Sequence, residues 1–338
     1  MAVSTAPFPI LLALVASEKI YDGEAAIELS APLWLGPEFL GLLKPAKIGG
    51  VDVHIVLPDF ERDLVGETVL HSRSRYDWLG FFAQRDRQDD RNWPFGGVAK
   101  WKQEDVVEFT AHRLLALPRY RVTVAEARKF KAAVDGWVEL LELWIEVVAR
   151  EDLHREQIRV ERQGQSAVVW LERGKGATGE LVPGKDRIMV NFGAKLAVTP
   201  WHWGKVLAKA SGGTTPPEAH VFLRDARHAK NVGHYRRSVL DSATAAELSL
   251  AKLRDTALKS ATARLAEYVG KHVTHIERLA AFLRAMGKAP PDNITEEIAQ
   301  PRNKAIHEGH ELDEETAARA LAKAEEVVDL AFPWKKLL

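Results

Sequence analysis

The spacing of apolar residues changes character near residue 212. Before this point, short apolar segments alternate with Gly, Pro and Asp, as in strands joined by turns. After it, apolar residues recur at steps of three and four among Ala, Leu, Glu, Lys and Arg, which is the period of amphipathic helices. The turn-prone segment 211–217 separates the two patterns. The sequence therefore predicts an α+β fold in two domains: a β-rich domain over residues 1–212 and an all-helical domain over residues 213–338.

In the first domain, six segments have the composition of strands: 51–57, 106–112, 120–124, 157–160, 167–171 and 187–192. A helix is predicted over 125–150, with one apolar stripe formed by Phe130, Val134, Trp137, Leu141, Trp144 and Val148. Residues 84–92 are predicted to form a charged loop. The apolar run 8–17 lacks a basic flank, contains Pro9 and is too short to span a bilayer, so we interpret it as a buried strand.

The second domain is predicted to contain five helices. The first runs over 216–231, with Thr215 as N-cap, and the second covers 235–259. The third covers 265–286, and the fourth starts at Asn293 as a cap and reaches 308, kinked or split by Pro301. The fifth begins after Asp313 and continues to 332. Short loops between amphipathic helices favour an up-and-down bundle.

Composition narrows the function. The chain has 47 Lys and Arg against 47 Asp and Glu, and the part from Gly213 onward has 19 against 18. A protein held to nucleic acid mainly by phosphate neutralisation shows a basic excess, so a packaging or scanning role is disfavoured while a local RNA-cutting site stays open. There is no cysteine, which removes disulfides and Cys-based zinc sites and fits a cytoplasmic protein. We expect no cofactor, no metal and no membrane partner.

The most informative segment is QPRNKAIHEG at residues 300–309. On a helix, Asn303 and His307 share a face, and Arg302 lies beside it. Histidine titrates near neutrality and serves as acid or base, Arg binds phosphate oxygens with a planar fork, and Asn303 is placed to orient the imidazole. RNA cleavage by the 2′-hydroxyl needs a base, an acid and a cation. One copy supplies one His and one Arg, so the sequence predicts a homodimer that joins two copies of the motif at one site.

Three stretches, 232–247, 301–309 and 314–330, resemble the HEPN family of helical domains. The resemblance covers about residues 215–332 and implies a ribonuclease in which Arg302 and His307 are the catalytic pair and Asn303 the supporting polar residue. It also implies an RNA substrate and a setting in prokaryotic toxin or antiviral defence systems. In one toxin branch of the family a Tyr stands two residues after the His. Gly309 occupies that position here, so regulation through that Tyr is not expected.

Several other residues have two open interpretations. Glu247 either positions Arg302 or His307 or makes a structural hydrogen bond; Lys304 and His310 either contact phosphate or are solvated. The adjacent Arg236 and Arg237 either bind RNA or lie on a solvated face.

The remaining candidates favour structural roles. His272 and His275 are a weak candidate for a metal pair, three apart on one predicted helix, and are more simply surface residues. The ten Trp residues favour core packing over a base-stacking platform. The glycines of 174–179 lack phosphate-loop spacing and favour a hairpin turn.

Two functions follow from these observations. The first is a metal-independent endoribonuclease in which the helical domain cuts and the β-rich domain recognises a trigger, a substrate or a regulatory partner. The second is a catalytically inactive HEPN module that binds RNA, nucleotide or protein. An active site in the first domain is disfavoured, because its sequence shows no nucleophile triad and no set of metal ligands.

Overall fold

The computed structural model describes residues 20–21, 25–62, 68–71, 96–102, 105–120, 122–153, 198–307 and 312–338. The fold of this part is α+β, as predicted. Several predicted features lie outside the described residues: the apolar run 8–17, the loop 84–92, the glycine segment 174–179 and the strands at 157–160, 167–171 and 187–192.

The N-terminal part forms an antiparallel sheet of five strands built around one long strand. The strands are β2 (Ala25–Leu35), β3 (Leu43–Ile48), β4 (Val51–Val56), β7 (Gly96–Lys102) and β8 (Asp105–Pro118). The path runs β2-β8-β4-β3, and β7 also pairs with β8. Two further antiparallel pairs are present among the described residues: β1 (Ile20–Tyr21) with β9 (Val122–Thr123), and β5 (Asp59–Arg62) with β6 (Thr68–His71). Strands predicted at 51–57 and 106–112 are confirmed.

A tight turn brings the β3–β4 hairpin against the first helix. Gly49 and Gly50 have φ of 58° and 86°, values that favour glycine and that suit a two-residue hairpin turn. A Cβ on Gly49 would lie 2.5 Å from the Lys129 carbonyl oxygen, so only a glycine fits between hairpin and helix.

That helix, α1 (Val124–Ala149), begins one residue before the predicted start and buries the whole predicted apolar stripe. Thr123 and Glu126 form a capping box, in which the Glu126 N–H donates to Thr123 Oγ1 and the Thr123 N–H donates to Glu126 Oε2. The strand expected over 120–124 was therefore too long, since the cap at Thr123 starts the helix. A second helix, α2 (Pro200–Ser211), packs beside α1 and β3.

The C-terminal part is helical. Its helices are α3 (Glu218–Asn231), α4 (Tyr235–Ala257), α5 (Ala263–His272), α6 (Ile276–Ala285), α7 (Gln300–His307) and α8 (Glu314–Ala331). Helices α3, α4 and α8 pack on one another, and α6 and α7 also contact α4. Gly233, at φ 81°, ends α3, and α8 begins after Asp313, both as predicted. The Asp313 side chain caps α8 by accepting from the Thr316 N–H.

Two predicted helix positions were wrong. The first helix begins at Glu218 rather than 216, and the Pro217 carbonyl, not the Thr215 side chain, accepts its first hydrogen bond. Residues that precede proline favour extended backbone, and Thr215 is followed by two prolines. The helix predicted over 265–286 is two helices, because β-branched Val273 and Thr274 interrupt it. At the break, Arg254 Nη1 donates a hydrogen bond to the Val273 carbonyl oxygen at 2.8 Å.

The fourth predicted helix contains one wide turn. Helical structure starts at Ile294, passes through a π-helical turn at Thr295–Ala299 and continues as α7. The Gln300 N–H donates to the Thr295 carbonyl, five residues back. Pro301 has no N–H to donate and its ring clashes with the carbonyl four residues before it, so the wider turn accommodates the proline without ending the helix. Asn293, at φ 58°, precedes this helix, but no side chain among the described residues caps its start, so the predicted Asn293 cap was wrong.

The described residues build two main hydrophobic clusters. Up to Ala210, the first core joins the sheet, α1 and α2. The second joins α3, α4, α6 and α8, and starts at Ala219. The C-terminal Leu337 returns to the first core. The change of core coincides with the predicted boundary near 212, while the division into two domains stays a prediction. None of the helices in the described part has the length and apolar content that a membrane crossing requires.

Candidate functional site

The motif forms α7, which lies against α4 by one face. Pro301 and Ala305, four residues apart, are buried on that face. Asn303, Lys304 and His307 are exposed. The preceding π turn sets the rotation of the helix, since it adds one residue relative to an α-helical turn. The motif is thus displayed at the surface of the helical part.

Arg302 is held on α4 by a carboxylate. Its Nη2 lies 3.6 Å from Glu247 Oε1, and its Nη1 donates to Asn303 Oδ1 at 3.3 Å. The Arg302 and Glu247 side chains are 29% and 28% exposed, so solvent weakens the pair and it contributes no more than about 1 kcal/mol to stability. Its main consequence is to favour one direction of the guanidinium, towards Glu247. The Asn303 oxygen is engaged by Arg302, rather than by the imidazole that we expected it to orient.

His307 occupies the last turn of α7 and is exposed. Within the described residues, its imidazole has no hydrogen-bond partner. Five residues separate it from Arg302, which is about 7.5 Å along the helix axis and about 140° around it. One copy of the chain therefore presents the two side chains on different sides of α7.

The adjacent arginines Arg236 and Arg237 have different partners. Arg236, in the first turn of α4, donates from Nε to the Ala305 carbonyl oxygen at 2.9 Å. Arg237 Nε pairs with Asp241 Oδ2 at 3.0 Å on its own helix. The sequence could not separate these two residues, because the contact of Arg236 with the motif depends on how α4 and α7 pack.

The other predicted residues have simpler positions. Lys304 is exposed and three residues before His307, hence on a neighbouring part of the α7 surface. His310 lies outside the described residues. His272 ends α5 and His275 precedes α6. The prediction that the two histidines share one helix was therefore wrong. Over the described ranges, no group of three potential ligands forms a metal cluster.

The tryptophans divide between packing and exposure. Trp137, Trp144 and Trp203 are buried in the first core, which agrees with the packing role. Trp201 is 57% exposed, with the Lys205 ammonium 5.4 Å from its ring centroid.

Two titratable groups on α3 lie away from the motif: His220 is buried and Asp225 is half-buried. Burial lowers the pKa of His220, although a contact of its Nε2 with the Phe332 carbonyl oxygen opposes the shift. Burial raises the pKa of Asp225, although the Arg224 guanidinium 2.9 Å away opposes that shift. His220 lies near Arg150, Arg227 and Asp329, and Asp225 pairs with Arg224 on its own helix, so these groups bear on stability.

Comparison with protein-family models, with curated proteins and with solved structures finds no match to this chain.

Proposed function

We propose that the protein is an endoribonuclease of the HEPN type, which cuts RNA through its 2′-hydroxyl and requires no bound metal. One observation supports this most: α7 displays an exposed imidazole at His307 that has no partner among the described residues, five positions beyond a guanidinium that pairs with Glu247. A free imidazole is suited to move protons, and a fixed guanidinium is suited to meet a phosphate.

The reaction uses these groups in a defined order. A neutral imidazole takes the proton from the ribose 2′-hydroxyl, and the 2′-oxygen forms a bond to phosphorus. The bond from phosphorus to the 5′-oxygen breaks, and an imidazolium gives that oxygen a proton. Arg302 offsets the negative charge that develops on the phosphate oxygens. The products are a 2′,3′-cyclic phosphate and a 5′-hydroxyl.

Two copies of the chain complete the site in this proposal. The reaction needs one imidazole as base and another as acid, and one copy has a single His307. Because Arg302 and His307 point to different sides of α7, a twofold axis beside this helix would place the His307 of one copy near the Arg302 of the other. The exposure of Asn303, Ile306 and His307 leaves that surface of α7 free for such a contact.

The setting belongs to the same proposal. The helical part cuts, and the N-terminal part receives a trigger, a substrate or a regulatory partner. A toxin or antiviral defence role in the cytoplasm follows from the family resemblance.

A binding module is the second candidate. The ion pair with Glu247 partly neutralises Arg302, and the helical part has nearly balanced charge. A site that binds RNA, nucleotide or a protein without cutting fits both observations.

The first prediction separates these functions. Purified protein is incubated with total RNA in excess EDTA, beside His307→Ala and Arg302→Ala and the surface control His272→Ala. We expect cyclic-phosphate ends from the wild type and the control, and a loss of about a hundredfold or more in the two motif variants at unchanged melting temperature. Binding of RNA without cleavage by the wild type favours the module, and equal cleavage by all four proteins refutes the proposed catalytic pair. Static light scattering, which measures the molar mass in solution, tests the proposed homodimer.

A further inference from the structure

Arg236 differs from the other arginines of the site in how its donors are used. Its Nε is bound to the Ala305 carbonyl oxygen at 2.9 Å, which fixes the plane of the guanidinium. Within the described part of the chain, its two terminal nitrogens have no acceptor, and the side chain is exposed. By contrast, Arg302 faces Glu247 and Arg237 faces Asp241. Among the described residues, Arg236 is therefore an oriented cation whose terminal donors have no acceptor.

Its position is at the end of α7 that carries the exposed imidazole. Ala305 is two residues before His307, about 3 Å along the helix axis. Carbonyl groups in the last turn of a helix carry partial negative charge, which disfavours an approaching phosphate. The Arg236 guanidinium donates a hydrogen bond to one of these carbonyls, that of Ala305, and places a positive charge beside it. An RNA strand that reaches His307 thus meets a cation instead of a bare helix terminus.

We propose that Arg236 forms a phosphate subsite for the RNA strand at the C-terminal end of α7. This inference rests on the proposed function and adds a contact outside the motif. The two terminal nitrogens of Arg236 donate to the oxygens of a backbone phosphate neighbouring the one that is cut, as a planar fork does. The contact positions the strand and reads no base, since phosphates carry no sequence information.

The test measures how binding depends on salt. The probe is a single-stranded 2′-O-methyl oligonucleotide, which keeps the phosphates but lacks the attacking hydroxyl. Each phosphate contact that is lost lowers the slope of log K against log salt by about 0.7 for a single strand. We expect Arg236→Ala to lower the slope by about this amount and to weaken binding about tenfold. Arg237→Ala is the matched control, because that arginine is exposed and paired within α4, and its slope should equal that of the wild type.

Two further variants separate a phosphate contact from a purely structural role. Arg236→Gln retains an N–H donor for the Ala305 carbonyl without the charge, and Arg236→Lys retains the charge. If Arg236 contacts a phosphate, Arg236→Lys should keep the salt slope of the wild type, and Arg236→Gln should show the reduced slope of Arg236→Ala. A structural role would lower the melting temperature in Arg236→Ala while every slope stays unchanged, and that result overturns the inference.

The outcomes also distinguish this subsite from the proposed function. A normal slope in Arg236→Ala, with cleavage lost in His307→Ala, refutes the subsite and leaves the nuclease standing. A reduced slope in a protein that does not cut RNA supports the subsite in a binding module. Absence of any binding by the wild type overturns the subsite.

Discussion

Arg302 has an ion-pair partner, Glu247, and a hydrogen-bond acceptor, the Asn303 side chain, and both limit its motion. Glu247 is 3.6 Å from one terminal nitrogen and the Asn303 side chain 3.3 Å from the other. A guanidinium held in this way is directed before a substrate arrives, so less rotational freedom is lost on binding. The exposure of both side chains, near 30%, leaves room for a phosphate to compete for the same donors. We therefore treat Glu247 as a positioning residue.

Replacing Glu247 tests that role. In Glu247→Gln the carboxylate charge is lost, and we expect RNA cleavage to fall about tenfold with a change in unfolding free energy below about 1 kcal/mol, since the pair is solvated. The rate constant should fall more than the affinity for RNA, because Arg302 remains but is misdirected. The control is Glu267→Gln, which removes a surface partner of Lys271 on α5. Equal rates in both variants would show that Glu247 is only structural.

The residue types of the site were predictable, but their partners were not. The run from Arg302 to His307 identifies a guanidinium, an amide and an imidazole at helical spacing, because sequence distance fixes neighbours on one helix. The contact of Arg236 with Ala305 links residues 69 positions apart. Such a contact depends on how two helices pack, and the neighbouring Arg237 has the same local sequence signal. Asn303 shows the same limit, since its oxygen faces the previous residue instead of His307.

Among the elements, the π turn before α7 has the most direct link to the proposed chemistry. Thr295–Ala299 widens the helix by one residue per turn immediately before Pro301. One residue corresponds to about 100° of rotation, so the turn decides which side chains of α7 face α4. With Pro301 and Ala305 buried, Asn303 and His307 face outward.

Removing the proline tests this link. In Pro301→Ala the N–H returns and the helix can close a regular α turn, a gain that offsets the loss of buried ring contacts. We expect an unchanged or higher melting temperature together with a loss of cleavage of about tenfold or more, because the motif rotates. A matched control is Pro291→Ala, which lies before the helix. Retained activity in Pro301→Ala would show that the π turn does not set the orientation of the motif.

Helix breaks were harder to predict than helices. The apolar stripe of α1 is buried as its periodicity indicated, since packing of an amphipathic face dominates helix stability. The break between α5 and α6 depends on Arg254, whose Nη1 reaches the Val273 carbonyl oxygen across 19 residues. A stretch with continuous helical periodicity therefore divides where a distant side chain compensates the lost backbone bond.

At the scale of the whole molecule, the C-terminal half of α1 joins the two cores. Arg150 Nη2 pairs with Asp329 at 2.7 Å, and Arg224 Nη1 lies 3.3 Å from buried Glu146. The change of composition near residue 212 predicted where the cores separate. These bridging pairs and the return of Leu337 to the first core were not predictable, because they join residues far apart in sequence with no shared periodicity.

His220 lies at this junction and makes stability sensitive to acid. It is 6% exposed, its ring meets Phe332 edge to face, and Arg150, Arg227 and Asp329 surround it. Burial lowers the pKa of His220 below its ordinary value, and the contact with the Phe332 carbonyl oxygen offsets part of that shift. The unfolded chain therefore binds a proton more readily than the folded one. It follows that the free energy of unfolding decreases as pH falls through about 6.5 towards the lower pKa of the folded state.

Urea denaturation over this pH range tests the effect. We expect His220→Gln, which keeps a donor near the Phe332 carbonyl, to flatten the decrease, while the exposed control His272→Gln retains it.

Asp225 changes stability with pH in the opposite direction. Burial raises the pKa of Asp225, so its contribution to stability is present at low pH and is lost as pH rises from about 3.8 to the higher pKa of the folded state. Asp225→Asn should remove this second dependence and leave the decrease due to His220 in place. If His220→Gln and the wild type lose stability equally on acidification, another group at the junction is responsible.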